Sequence, residues 1–184
     1  MQASSQSKQV QILPRRLLDW VALFERLTVD ERPELIEHFR ALDLEDRRLR
    51  FGMPVPDGFL VSYVEGLNFD RDVIFGVCSG PGEWLGIGHL VLDGPTAELG
   101  LSVLPDARGR GLGAAIFRYA VAHASRAGVD RLYMHFLSSN RAIVSIARAA
   151  GMTIRSEGTE SDGHLVVPPY RELARMLMRE PAAA

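Results

Sequence analysis

Six consecutive residues, Arg108-Gly109-Arg110-Gly111-Leu112-Gly113, hold three glycines and two arginines between an alternating apolar stretch and a long amphipathic one. Strand, glycine turn, helix is the order that presents free backbone N–H groups to an anion, because the first turn of a helix has no carbonyl partners for its amides. Glycine removes the Cβ that would hold a phosphate off the backbone, and the helix dipole with Arg108 or Arg110 favours negative charge. The stretch therefore reads as a diphosphate seat, set against the plainer reading of a loop whose glycines only permit tight turns. Two phosphate-binding patterns fail on spacing. A P-loop ends in Gly-Lys-Ser/Thr, and here Gly113 is followed by Ala114 and Ala115. A dinucleotide fingerprint runs G-x-G-x-x-G with an acidic residue ending the next strand, whereas these glycines run G-x-G-x-G and the next strand ends in "HFLSSN".

The elements that must position such a turn are legible from period and caps. Up to about Ser7 the chain is a polar Gln/Ser tail, and residues 1–14 are expected to be flexible, with a single domain over 15–184. Residues 10–27 allow an arm-like helix and then a first strand near Leu23 to Leu27. Asp30 is expected to cap a helix carrying Leu35, Ile36, Phe39 and Leu42; "LEDRRLRF" reads as a second helix, and "DGFLVSYVEGL" as a third with Asp57 as its cap. The period then changes to two: "DVIFGVC" and "EWLGIGHLVLD" flank the hairpin signal "SGPG", and "AELGLSVL" follows "DGPT". After the glycine cluster come a helix closed by Gly128, the strand "RLYMHF", the helix "NRAIVSIARAA" ended by Gly151, a strand pair "MTIRSEG" and "HLVVPP", and a short C-terminal helix "YRELARMLMR". Helices first, then an antiparallel meander, then strand-helix-strand-helix make an α+β domain with a mixed sheet.

Composition bounds the function. The 184 residues are 47% hydrophobic and 24% charged, ordinary for a globular protein. A net charge of -2 lacks the basic footprint of general nucleic-acid binding. No apolar run approaches the roughly 20 residues of a bilayer span, and the N-terminus has no signal-peptide core, so no membrane partner is expected and the protein reads as cytoplasmic. The single cysteine, Cys78, sits in an apolar run and is expected to be a buried reduced thiol. No His, Cys, Asp or Glu grouping has metal-ligand spacing, so no metal is expected.

Arg108-x-x-Gly111-x-Gly113 on a strand-to-helix turn matches the R/Q-x-x-G-x-G/A signature of the GNAT superfamily of N-acetyltransferases, and the resemblance extends from about Asp72 to Glu157. The following strand, the helix opening at Asn140 and the glycine at Gly151 reproduce the rest of that family's pattern. In motif the chain looks most like the catalytic domains of bacterial protein-lysine acetyltransferases. The resemblance implies a mixed, mostly antiparallel sheet whose fourth and fifth strands splay apart, flanked by helices, with acetyl-CoA as cosubstrate in the gap. Its pantetheine arm would pair with Leu101, Ser102 and Val103, and its pyrophosphate would rest on the amides of Gly109, Arg110, Gly111, Leu112, Gly113 and Ala114. Asn140 aligns with the family asparagine that contacts the CoA arm, and it can also cap its own helix.

The family reaction is direct attack of an amine on the thioester in a ternary complex. It needs a base, because a protonated alkylamine has a pKa near 10.4. Glu98 is the first candidate, since it begins the splayed strand as in the "AEF"-type strands of the bacterial lysine acetyltransferases; with period 2 it shares a face with Gly100 and Ser102. His135 is the second: it precedes Asn140 by five residues, the offset at which the ribosomal-protein N-terminal acetyltransferases carry a catalytic glutamate. An imidazole with an ordinary pKa of about 6.5 serves as a base at neutral pH. The other histidines, His38, His89, His123 and His164, read as structural or surface residues. One departure stands out: many members carry a tyrosine seven residues after the asparagine as general acid, and this chain has Ala147. Ser138 or Tyr170 is the expected substitute, unless the thiolate leaves unassisted. The acceptor is a protein lysine or a small-molecule amine, with a catalytically inactive CoA-binding module as the alternative function and a homodimer left open.

Overall fold

Period two becomes strand and period 3.6 becomes helix over residues 23–173, the part of the chain that the computed structural model describes. In chain order the elements are β1 (Glu25–Arg26), α1 (Arg32–Arg40), α2 (Leu44–Phe51), α3 (Asp57–Glu65), β2 (Val73–Cys78), β3 (Trp84–Asp93) and β4 (Thr96–Val103). Then follow α4 (Leu112–Arg126), β5 (Arg131–Leu137), α5 (Arg141–Ala149), β6 (Thr153–Glu157) and β7 (Glu160–Val166). The strands make one sheet in the order β1-β2-β3-β4-β5-β7-β6. Every neighbouring pair is antiparallel except β4 and β5, which run parallel because α4 carries the chain back across the sheet. This is the mixed α+β sheet that the pattern predicts. The expected tail and arm helix, and most of the C-terminal helix, lie outside the described residues, although 170–173 are helical.

Each face of the sheet has its own core. On one, α4 lays down a stripe of Leu112, Ala115, Ile116, Ala120 and Ala124, all at most 1% exposed, against Phe75, Leu90, Leu99 and Leu132. On the other, Leu35, Phe39, Leu60 and Val64 of α1 and α3 pack on Ile74, Trp84 and Ile87. β2 is buried on both sides, which explains its unbroken apolar run. Along β4 the even positions Glu98, Gly100 and Ser102 look toward α1–α3, while Ala97, Leu99, Leu101 and Val103 pack toward α4.

Three sequence expectations shift. Thr28, not Asp30, opens the first helical region: its side chain takes the Asp30 amide and Glu31 reaches back to it in a capping box, making a 3-10 turn before α1. Pro56, not Asp57, is the N-cap of α3; Asp57 is already helical, and its carboxylate sits 2.6 Å from Arg47 Nη1. The last strand begins at Glu160 rather than near His164, because Gly158 (φ +59°) turns the chain tightly enough for Glu160 to pair with Glu157 at once. Residues 160–162, "ESD", which fall between the two expected strands, are therefore sheet.

Candidate active site

β4 and β5 pair at only three positions: Thr96 with Arg131, Ala97 with Leu132 and Glu98 with Tyr133. Both strands continue, but each follows its other neighbour, β4 staying in register with β3 as far as Val103 and β5 with β7 as far as Leu137. The two halves of the sheet therefore part after Glu98, leaving β4 from Leu99 to Val103 without a strand partner on its β5 side. A cavity of about 370 Å³ runs from that free edge to the glycine turn, and one of about 400 Å³ opens at the parting itself. They share a wall of Leu49, Arg50, Leu101, Asn140 and Ile143.

Leu101, Ser102, Val103, Arg108, Gly109, Gly111, Leu112, Gly113, Ala114 and Asn140 line the first cavity; Arg110 is exposed and is not on its wall. The turn is a ready anion seat. Gly109 and Gly111 hold φ of +72° and +81°, a region that side chains avoid, and no side chain caps α4. Ala115 is the first amide of the helix to bond, to the Gly111 carbonyl at 3.0 Å; those from Gly109 to Ala114 donate to no protein group among the described residues. Arg108 is less free than its motif position implies. Its Nε donates to the Val103 carbonyl at 3.0 Å and Nη2 lies 2.7 Å from Asp46 Oδ2, so it braces the turn against α2. The Ser102 side chain is also committed, donating its hydroxyl proton to His38 Nε2 at 2.8 Å, so what it offers the cavity is backbone. Asn140 caps α5 through Oδ1 and the Ile143 amide at 3.2 Å.

Glu98 and His135 both line the second cavity, on the same face of the two parting strands. His135 Nδ1 lies 2.5 Å from Asp162 Oδ1 on β7, its register partner. With Nδ1–H donated to that carboxylate, the Nε2 lone pair is the one left for proton transfer. Asp162 escapes the sequence reading because it falls between the two expected strands; in the structure it is the exposed position between buried Ser161 and Gly163 of β7. Position 147 offers no acid: Ala147 is 0% exposed, packed in the core beneath α5, and lines neither cavity. Neither expected substitute reaches the site. Ser138 is drawn to the β7 hairpin, bonding the Glu160 carbonyl and Ser161. Tyr170 lies under Arg126, 5.5 Å from guanidinium to ring, at the end of α4 remote from the turn, about 21 Å away by helix rise. The hydroxyl that does line the first cavity without a protein hydrogen bond among the described residues is Ser145.

Of the histidines set aside, His38 is structural. His38 is buried, its Nδ1–H donated to the Trp84 carbonyl at 2.8 Å. Burial pushes its pKa down to about 4, against the Trp84 bond and with help from the Arg50 charge. Cys78 is half-buried at the end of β2, and burial raises its thiol pKa. Among the described residues no three His, Cys, Asp or Glu side chains group as a metal site, and no helix is long and apolar enough to cross a membrane.

Comparison with known proteins agrees with this geometry. The sequence model of the acetyltransferase (GNAT) family matches residues 20–152. Among solved structures, the GNAT domain of S. lividans PAT superposes with a TM-score of 0.66 at 19% identity, over 78% of this chain and 89% of that one. The ribosomal-protein-S18-alanine N-acetyltransferase of Escherichia coli gives 0.58 at 16%, over 78% and 92%. yncA from Salmonella typhimurium, solved with its cofactor acetyl-CoA, gives 0.60 at 14%, over 79% and 93%. Such identities speak for the fold alone. Among curated protein sequences nothing matches.

Proposed function

The chain belongs to the acetyltransferase (GNAT) family, whose cosubstrate is acetyl-CoA, and from that footing we propose that it acetylates a primary amine, of a protein lysine or a small molecule, by direct attack in a ternary complex. The observation that carries this reading is the parting of β4 and β5 after Glu98 and Tyr133, which joins an uncapped glycine turn to a carboxylate and an imidazole. Acetyl-CoA would supply the acetyl thioester. The free amides from Gly109 to Ala114 would take its diphosphate, and the unpartnered edge from Leu101 to Val103 would bond its amide-bearing arm as a neighbouring strand would.

Glu98, on the face of β4 that looks into the second cavity, is assigned the proton of the attacking amine; His135, oriented by Asp162, is a second group within that cavity able to accept it. As the nitrogen bonds to the acetyl carbon, the carbon–sulfur bond breaks, the amine proton passes to the base, and the departing thiolate takes a proton from solvent or by way of Ser145. Charge developing on the carbonyl oxygen would face the unpaired amides of β4, fixed dipoles that need no reorganisation.

The test is CoA release from acetyl-CoA over a panel of lysine peptides, polyamines, amino acids and aminoglycosides, with Glu98→Gln beside the wild type. A second reading, a CoA-binding module without turnover, is favoured by Ala147, which leaves the usual acid position without a hydroxyl. Tight acetyl-CoA binding with no amine raising CoA release above the buffer rate would select it.

A further inference from the structure

Arg50 is a half-buried cation with no anion paired to it among the described residues. It lies near the end of α2, with its guanidinium carbon 4.9 Å from the ring centroid of Phe51, 5.7 Å from Tyr63 and 5.9 Å from Phe39. It also lies against the β4 backbone at Gly100, where a Cβ would stand 2.5 Å from Nη2, so this strand position accepts only glycine while the arginine is there. Nη2 donates to the Tyr63 hydroxyl at 3.0 Å. Arginine can only donate, so the hydroxyl turns its own proton to His89 Nδ1, 2.9 Å away, and His89 Nε2–H is given to buried Asp72 at 3.1 Å. Burial lowers the His89 pKa, against the Asp72 bond, so the ring stays neutral and the chain of bonds keeps one direction.

That relay orients Arg50 without neutralising it at close range. Among the described residues it forms no ion pair, its Nε is buried without a partner, and Nη1 bonds no protein group. Aromatic faces hold a guanidinium flat but take none of its in-plane N–H groups, whose best partner is a planar carboxylate. Arg50 stands on the wall common to both cavities. The rest of the second cavity carries the opposite sign, from Glu98, Glu160 and Asp162.

We propose that Arg50 receives the carboxylate of the acceptor, and that the acceptor is an α-amino acid rather than a protein lysine. The proposal rests on the acetyltransferase reading and narrows its substrate. Glu98 and Gly100 are successive residues on one face of β4, about 7 Å apart along the strand. With the guanidinium of Arg50 lying against Gly100, a zwitterion with its carboxylate on Arg50 would carry its ammonium along this face of β4 toward Glu98. A lysine side chain in a protein brings no carboxylate to Arg50.

The experiment compares each of several amino acids with its α-carboxamide and its decarboxylated amine, in wild type, Arg50→Gln and Arg50→Lys. The readouts are kcat/KM by CoA release and, independently of turnover, the Tm shift that each compound adds to the CoA-bound protein. Wild type is expected to favour the acid on the order of 100-fold, mainly through KM; Arg50→Gln should bring acid and amide together, and Arg50→Lys should keep part of the preference. A cooperative thermal transition and an unchanged far-UV circular dichroism spectrum of each free variant show that they fold. If no compound is turned over but acids alone raise Tm, and only with Arg50 present, the carboxylate site stands while the transferase reading falls. Equal use of acid, amide and amine by wild type, or an equal loss on all three in Arg50→Gln, overturns the proposal.

Discussion

Gly111→Asp is the sharpest test of where the diphosphate sits. Gly111 is the N-cap of α4 at φ +81°, and a Cβ there would meet nothing within 4 Å, so a side chain adds backbone strain and its own chemistry without a clash. The left-handed conformation costs a non-glycine residue about 1–2 kcal/mol, and Asp and Asn bear it best. Gly111→Asn is therefore the matched control, equal in shape and strain but uncharged. A carboxylate at this residue occupies the free amides from Gly109 to Ala114 and repels the diphosphate. Two unit charges about 5 Å apart at an effective dielectric of about 20 interact by about 3 kcal/mol. That corresponds to an affinity loss of about 100-fold, reduced by salt as screening shortens toward about 8 Å at physiological strength. The assay is calorimetric titration with CoA at two salt concentrations, with Tm of each free variant as a folding check. Gly111→Asn is expected within about fivefold of wild type, since a neutral amide oxygen gives way to the diphosphate without charge repulsion, and Gly111→Asp about 100-fold weaker, more so at low salt. Equal CoA affinity in the two variants would refute the placement of the diphosphate on this turn.

The depressed His38 pKa makes stability pH-dependent. The folded protein refuses a proton that the unfolded chain binds at about 6.5. With a folded value of about 4, stability is full above pH 6.5 and declines by about 3 kcal/mol as pH falls to 4, at about 1.36 kcal/mol per pH unit. Urea unfolding of wild type and His38→Gln across that range measures it, and an unchanged slope in the variant would count against it. Glu98→Gln is expected to lower kcat about 100-fold with CoA affinity retained, the usual worth of a general base; if instead His135→Gln carries the loss and Glu98→Gln does not, the base assignment reverses. Asn140→Ala removes the α5 cap and should cost about 1 kcal/mol, read as a lower Tm, and no change in Tm would mean that the 3.2 Å bond contributes nothing.

Much of the architecture was legible because it rests on local rules. Period two and period 3.6, the glycines after α4 and α5, and the strand-turn-helix order around Gly111 placed the mixed sheet and the glycine turn at the start of α4, and alternation along β4 put Glu98, Gly100 and Ser102 on one face. The errors were local too: Thr28 against Asp30 and Pro56 against Asp57 are capping choices among adjacent competent residues, and β7 begins earlier because a tight turn outweighs the polarity of "ESD". Partners far apart in the chain were beyond that reading. His38 meets Ser102 across 64 positions, Arg108 finds Asp46, His135 finds Asp162, and Arg50 reaches Gly100 and the Tyr63–His89–Asp72 relay. A sequence carries the types and the periods, since these depend on bonds a few residues long. Which side chain a charge meets depends on how helices and sheet pack, and here that packing commits Ser102 and Arg108 to the protein and leaves Arg50 facing the cavity.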